Sequence, residues 1–238
     1  MDENEFENLM TQQAEGIDVR INQEQLEKFY NYMLLLLDWN KKMNLTAIVK
    51  EEEIITKHFI DSLTVLKNLK ETDKIVDIGT GAGFPGIPIK IMLEKTEITL
   101  LDALNKRITF LEECTKELKI KGVEIIHERA EELANDDKHR EKYDVVVSRA
   151  VSPLNILLEY SVPFIRKDGL CICMKGTKAI EELKVSEKAI KELNCEIIEI
   201  NKINLKGNMK RNIIVLKKLE KTKDFYPRRF AEIKKTPL

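Results

Sequence analysis

The segment Val76-Asp77-Ile78-Gly79-Thr80-Gly81-Ala82-Gly83-Phe84-Pro85-Gly86 constrains this chain more than any other. An apolar, β-branched run leads into it and a helix-length stretch follows, so the glycines stand where a strand gives way to a helix. Backbone without side chains can approach a ligand closely there. Gly79, Gly81, Gly83 and Gly86 are more than a tight turn requires. The segment therefore reads as a cofactor-binding loop.

The surrounding pattern supplies its frame. Short runs at Lys74 to Ile78, Glu97 to Leu101, Val123 to His127 and Tyr143 to Ser148 alternate with amphipathic stretches of helical length. Such alternation predicts a Rossmann-like α/β fold, a mostly parallel sheet with helices on both faces. Leu170 to Met174, Cys195 to Ile203 and Asn212 to Leu216 bring the strands to seven, the last pair forming an antiparallel edge hairpin. Ahead of the sheet, Leu26, Phe29, Tyr30, Met33, Leu34 and Leu37 recur at helical spacing from Asn22 to Asn40, with Asn22 and Gln25 placed as a capping box. A second helical stretch is expected from about 51 to 68, and the acidic opening residues are expected to fray. The division is a helical extension at 1–70, a cofactor-binding core at 71–220 and a basic tail at 221–238.

A formal net charge of -1 leaves no global field to draw the molecule to a polyanion, so any such site must be local. The charge is uneven: residues 1–16 carry only acids, whereas residues 202–238 carry twelve Lys or Arg against Glu220, Asp224 and Glu232. Cys114, Cys171, Cys173 and Cys195 form no CxxC pair and read as core residues of a reduced, cytoplasmic chain, with no metal site. The apolar cluster Met33 to Leu37 is too short to span a bilayer, and no apolar interface stripe stands out, which makes a monomer the default.

Gly81 to Gly86 also matches the GxGxxG spacing of dinucleotide folds. Asp77 argues otherwise. A carboxylate two residues before the first glycine repels a pyrophosphate but suits an ammonium, directly or through water, as in S-adenosylmethionine. Asp102, ending the next strand, can accept hydrogen bonds from both ribose hydroxyls, although dinucleotide sites place an acid similarly. Arg129-Ala130-Glu131 either flanks an adenine ring or is a solvated helix start. An NAD(P)-dependent oxidoreductase remains the rival reading.

The loop after the fourth strand is Ser148-Arg149-Ala150-Val151-Ser152-Pro153. It lacks the Asp/Asn-Pro-Pro-aromatic signature of exocyclic-amine methylation and the cysteine nucleophile of pyrimidine-C5 methylation. A purine ring nitrogen such as guanine N7 carries a free lone pair and needs no base, so positioning and electrostatics suffice. Arg149 is the candidate for orienting the base or the cofactor.

Several further segments resemble the bacterial small-subunit ribosomal RNA guanine-N7 methyltransferases, the glucose-inhibited division protein B family. They are Trp39-Asn40 with Met43 to Thr46, His58 to Leu63, Asp77 to Pro88, Leu101 to Arg107, Ser148 to Val151, and Met174-Lys175-Gly176. The resemblance covers nearly the whole chain and implies a class I S-adenosylmethionine-dependent methyltransferase acting on one guanine of 16S ribosomal RNA. It implies cofactor contacts at Gly79, Phe84, Asp102, Ala103, Ala130, Glu131 and Arg149, beside the loop residues Asp77, Gly81 and Gly83. Pro227-Arg228-Arg229 and Lys235-Thr236-Pro237-Leu238 match the family's ending, while Ala231 and Ile233 replace its usual glycine and proline. Lys206, Lys210, Arg211, Arg228, Arg229, Lys234 and Lys235 are expected to grip RNA phosphates. His58, with Asp61 three residues on, either faces the RNA or is a packed pair. A catalytically silent RNA-binding assembly factor on the same scaffold is the non-enzyme alternative.

Overall fold

Strands β1 (Lys74–Ile78) and β4 (Tyr143–Arg149) lie side by side at the centre of the sheet. Around them stand β2 (Glu97–Asp102), β3 (Val123–His127), β5 (Ile165–Lys175), β6 (Cys195–Leu205) and β7 (Met209–Lys218), in the order β3-β2-β1-β4-β5-β7-β6. The first five run parallel, and β7 is antiparallel to both β5 and β6. These strands belong to a computed structural model that describes residues 1–238. Each of the seven expected runs lies in a strand, most of them one to five residues longer at an end than the apolar pattern marks. The chain builds outward from β1 to β3, then returns to β4 and builds the other way. This reversal opens a crevice at the carboxyl ends of β1 and β4, where ligands of open α/β sheets bind.

Alternation within the strands sends side chains to two cores. Ile75, Val145 and Ile172 face the same core as Phe6, Phe29, Tyr32 and Phe59, whereas Val76, Val146, Cys171 and Cys173 face Leu154, Leu157 and Phe164. Both faces of the central strands are therefore covered, and their sequences are apolar throughout rather than alternating. The edge strand β6 alternates between exposed and partly covered positions.

The amino-terminal helices depart from expectation. Residues Glu3–Glu15 form α1 instead of fraying: Asp2 and Glu5 make a capping box, and Phe6, Met10 and Ala14 are buried at successive turns. Burial of that stripe outweighs the acidic charge of the segment. Helix α2 (Gln23–Met43) starts at the expected Asn22 cap and ends on Asn44 in the left-handed region. The stretch 51–68 is helical as expected, but its geometry is not uniform. A π-helical segment, Ile55–Ile60, interrupts it after Glu51–Ile54 and is followed by Asp61–Leu63 and a 3-10 turn at Leu66–Asn68. The wider turn shifts the register and turns His58 and Asp61 toward the end of β4, which a 3.6-residue period does not anticipate.

Candidate active site

Two cavities open at the crevice, and Gly79 and Val151 line both. The first, of about 360 Å³, brings together Asp102, Ala103, Ala130 and Glu131 with Ile156, Tyr160 and Phe230. The second, of about 440 Å³, is lined by the loop residues Gly79 to Ala82, by Phe84, and by His58, Arg107 and Arg149. Both volumes fall in the range of small-molecule sites, about 300–1,000 Å³.

Local chemistry explains how the loop is held. Gly81 has a φ of 64°, and a side chain added there would meet nothing, so the loop presents bare backbone to the second cavity. Behind it, Asp77 is fully buried. Its Oδ2 accepts from Thr80 Oγ1 (2.6 Å) and from the backbone N–H of Gly86 (2.8 Å), while Oδ1 is buried without a partner. Burial pushes its carboxyl up to about 7, against the lowering effect of those two hydrogen bonds. Asp77 lines neither cavity and braces the loop from behind, which favours the water-mediated alternative for an ammonium over the direct one. Gly83 is also set back: a Cβ there would lie 2.5 Å from Ile87 Cδ1 and 2.7 Å from Tyr32 Oη, so this glycine serves packing rather than ligand approach.

At the end of β2, Asp102 accepts from the backbone N–H groups of Gly81 and Leu104, each at 2.9 Å. Arg107 Nη1 reaches both of its oxygens, at 2.9 and 3.2 Å. Across the first cavity, Arg129 Nε donates to Glu131 at 2.6 Å, and the guanidinium lies 4.0 Å from the centre of the Phe230 ring. Arg129 and Glu131 are thus a paired element of the cavity wall, with Glu131 buried.

In the second cavity Arg149 organises the wall. Its Nη1 donates to the carbonyls of Lys57 (3.1 Å) and His58 (3.4 Å) and to Asp61 Oδ2 (3.2 Å), and Nη2 meets His58 Nδ1 at 3.2 Å. A guanidinium can only donate, so His58 Nδ1 accepts and Nε2 carries the proton, donating to Thr46 Oγ1 at 2.9 Å. Burial, then the Arg149 charge, push His58 down to about 3, and the ring is neutral. It stacks on Phe84 at 4.4 Å and 11°, with the Arg149 guanidinium 5.0 Å from the same ring. Asp61, wholly buried, also accepts from Arg211 Nε at 3.0 Å and so lies between two guanidiniums. The wall holds two arginines, no carboxylate, and a histidine with both nitrogens occupied.

The basic residues divide. Lys206 and Lys210 flank the β6–β7 turn, Arg229 and Lys235 stand in the tail, and all four are exposed and outside every ion pair of the fold. Lys234 lines the first cavity. Two expected phosphate contacts, Arg211 and Arg228, are committed to carboxylates within the fold, and of the two readings of His58 the packed pair fits its burial. His58 is buried and uncharged, Arg211 is tied to Asp61, and Arg228 donates from its backbone N–H, Nε and Nη2 to the fully buried Glu159 at 3.0, 2.8 and 2.6 Å. Sequence reasoning also missed Arg107, Ile156, Tyr160 and Phe230. Only the basic character of Leu101 to Arg107 signalled any of them.

The family described as rRNA small subunit methyltransferase G matches residues 25–214. The chain belongs to this family. It is 50% identical over 216 residues to the Ribosomal RNA small subunit methyltransferase G of Thermoanaerobacter sp. (strain X514), covering 90% of each chain. To the protein of that name from Alkaliphilus oremlandii (strain OhILAs) it is 45% identical over 237 residues, covering 98% of this chain and 99% of the relative. A SAM dependent methyltransferase from Aquifex aeolicus shares the fold, with a TM-score of 0.52 at 16% identity over 66% of this chain and 89% of that one. So does a Precorrin-6y C5,15-methyltransferase from Geobacter metallireducens GS-15, with a TM-score of 0.51 at 15% identity over 73% and 90%. Membership makes the chain a methyltransferase of small-subunit ribosomal RNA and displaces the oxidoreductase and silent-scaffold readings.

Proposed function

We propose that this chain transfers the methyl group of S-adenosylmethionine to N7 of one guanine in 16S ribosomal RNA. The carrying observation is the second cavity, whose wall offers two guanidiniums and no group free to act as a base. N7 has an in-plane lone pair and no proton to lose, so an acceptor of that kind suits a wall without a base.

The residues fit the donor. Asp102, Ala103, Ala130 and Glu131 would hold its nucleoside end, and Gly79, Gly81, Phe84 and Arg149 its amino-acid end. The unpartnered Asp77 Oδ1 beneath the loop leaves an acceptor for the ammonium, reached through water or a small movement of the loop. S-adenosylmethionine supplies an electrophilic methyl on a sulfonium. The chain supplies position: Arg149, fixed by Asp61 and the His58 and Lys57 carbonyls, would present a donor to O6 of the guanine and leave the N7 lone pair free to attack, and Val151, which lines both cavities, would help keep water from their junction.

Lys206, Lys210, Arg229, Lys234 and Lys235 would contact RNA phosphates, which position the substrate without reading its bases. In the same reading, residues 71–220 carry the chemistry, 1–70 brace it and 221–238 cover it. The protein acts as a cytoplasmic monomer, and no helix is long and apolar enough to cross a membrane. Mass mapping of 16S ribosomal RNA from cells with and without this protein tests the proposal. Loss of one 7-methylguanosine is the expected result, and an unchanged map would end it.

A further inference from the structure

The carboxyl-terminal tail is part of the first cavity. Phe230 opens the last helix, Phe230–Lys235, and is one of only two aromatic side chains on the cavity wall, the other being Tyr160. For a large apolar side chain it is unusually open, with 39% of its surface exposed. One part of its surroundings is already committed: the Arg129 guanidinium sits 4.0 Å from the ring centre and Lys234 Nζ 5.7 Å. Arg129 is held in turn by Glu131, so the wall of the cavity itself orients the ring.

The tail that carries Phe230 is not loose. Arg228 is bound through three donors to the buried Glu159, the residue before Tyr160 on the helix Leu154–Ser161 that also provides Ile156. Upstream, Arg140 donates to the carbonyls of Tyr226 (2.8 Å) and Lys223 (3.2 Å). Downstream, Ile233 is fully buried, which gives the tail an apolar anchor at a position where the resemblance leads one to expect a helix-breaking residue. Anchors on both sides of Phe230 hold it against the cavity.

We propose that Phe230 is a cofactor-contacting residue: it is the aromatic wall against which the adenine of the methyl donor packs. This rests on the reading that the first cavity takes the nucleoside end. A flat purine gains from an aromatic surface through dispersion and the release of hydrating water. Tyr160 and Ile156 come from the core of the fold, and Phe230 completes the enclosure from the tail.

Calorimetry on the full chain tests this, with S-adenosylhomocysteine and with adenosine as probes. Phe230→Ala is expected to weaken both by the same factor, roughly three- to tenfold, because both carry the adenine. Phe230→Trp should retain affinity. Phe225→Ala, in the same tail but 61% exposed and away from the cavity, should bind as the wild type does. Wild-type affinity in Phe230→Ala overturns the assignment and leaves the nucleoside reading intact, and so does an equal loss in Phe225→Ala. Failure of the wild-type chain to bind S-adenosylhomocysteine overturns both.

Discussion

Arg107 Nη1 bridges both carboxylate oxygens of Asp102, 2.9 Å from one and 3.2 Å from the other. The backbone N–H groups of Gly81 and Leu104 take further lone pairs. On the proposed reading, a nucleoside held at Asp102 would compete with Arg107, whose own Nε is buried and unpartnered.

Removing the competitor should help binding. Adenosine is expected to bind Arg107→Ala up to about fivefold more tightly, since a partly exposed ion pair is worth about 0–1 kcal/mol. Asp102→Ala is expected to bind roughly ten- to a hundredfold more weakly, because hydrogen bonds to a charged group contribute about 1.5–3 kcal/mol. Titration calorimetry with adenosine reads both signs. Weaker binding by Arg107→Ala would show that Arg107 helps hold the nucleoside.

Asp61 joins parts of the chain that lie far apart in sequence, pairing with Arg149 on β4 and Arg211 on β7. Asp61→Ala leaves two partly buried guanidiniums without their counter-charge, and the expected cost is about 3–5 kcal/mol. Urea unfolding should show this as a lower midpoint. Methyl transfer should fall even at temperatures where the variant is folded, because Arg149 loses its orientation. A variant as stable as the wild type would mean that water replaces the carboxylate.

His58 and Asp77 titrate with opposite effects on stability. His58 is pushed down to about 3 from 6.5, so the unfolded chain binds the extra proton between those values. Its contribution is complete above pH 6.5 and is lost as pH falls toward 3. Asp77 is raised from 3.8 to about 7, so the folded chain holds the extra proton. Its contribution is complete below 3.8 and is lost as pH rises through 7. Each slope is at most about 1.4 kcal/mol per pH unit, and in the wild type the two oppose one another in the overlapping window. Unfolding free energies across this range, measured for wild type, His58→Gln and Asp77→Asn, separate them. The wild-type-minus-His58→Gln difference should rise with pH to 6.5 and then level. The wild-type-minus-Asp77→Asn difference should fall until about 7. A flat difference for either residue means that its group titrates at the ordinary value.

The tail and the β6–β7 turn should respond differently to salt. Neutralising Lys206 and Lys210 is expected to reduce the slope of log affinity for RNA against log salt by about one for each phosphate that then goes unneutralised. Arg228→Ala should leave that slope unchanged and instead destabilise the chain by about 3–5 kcal/mol, because Glu159 is left buried and unpaired. Filter binding at several salt concentrations and thermal unfolding distinguish the two. A flattened slope in Arg228→Ala would return that residue to the RNA surface.

Much of the crevice was legible in the residue pattern. Asp102 ends the second strand and Arg129-Ala130-Glu131 follows the third, while Ala103 was marked only by the family resemblance. Parallel strands with right-handed crossovers deliver their carboxyl ends to one edge of the sheet. That is why residues far apart in sequence line one cavity. Asp77 and Gly83 belong to the same motif, yet whether a motif residue faces the ligand or the scaffold depends on what packs behind it, here Thr80, Tyr32 and Ile87.

By itself, the order of short apolar runs and glycines determined the seven-stranded sheet and the place of its crevice, since these depend on periodicity and local backbone freedom, while the family was legible only through the resemblance of segments such as His58 to Leu63 and Leu101 to Arg107. Tertiary structure alone decided which charges remain free. Arg228 and Arg211 look like Lys206 and Lys210 in a basic carboxyl-terminal stretch, but buried carboxylates on distant elements claim the first pair and leave the second to solvent. Ion pairing depends on distance in space and on loss of water, and neither is encoded by spacing along the chain.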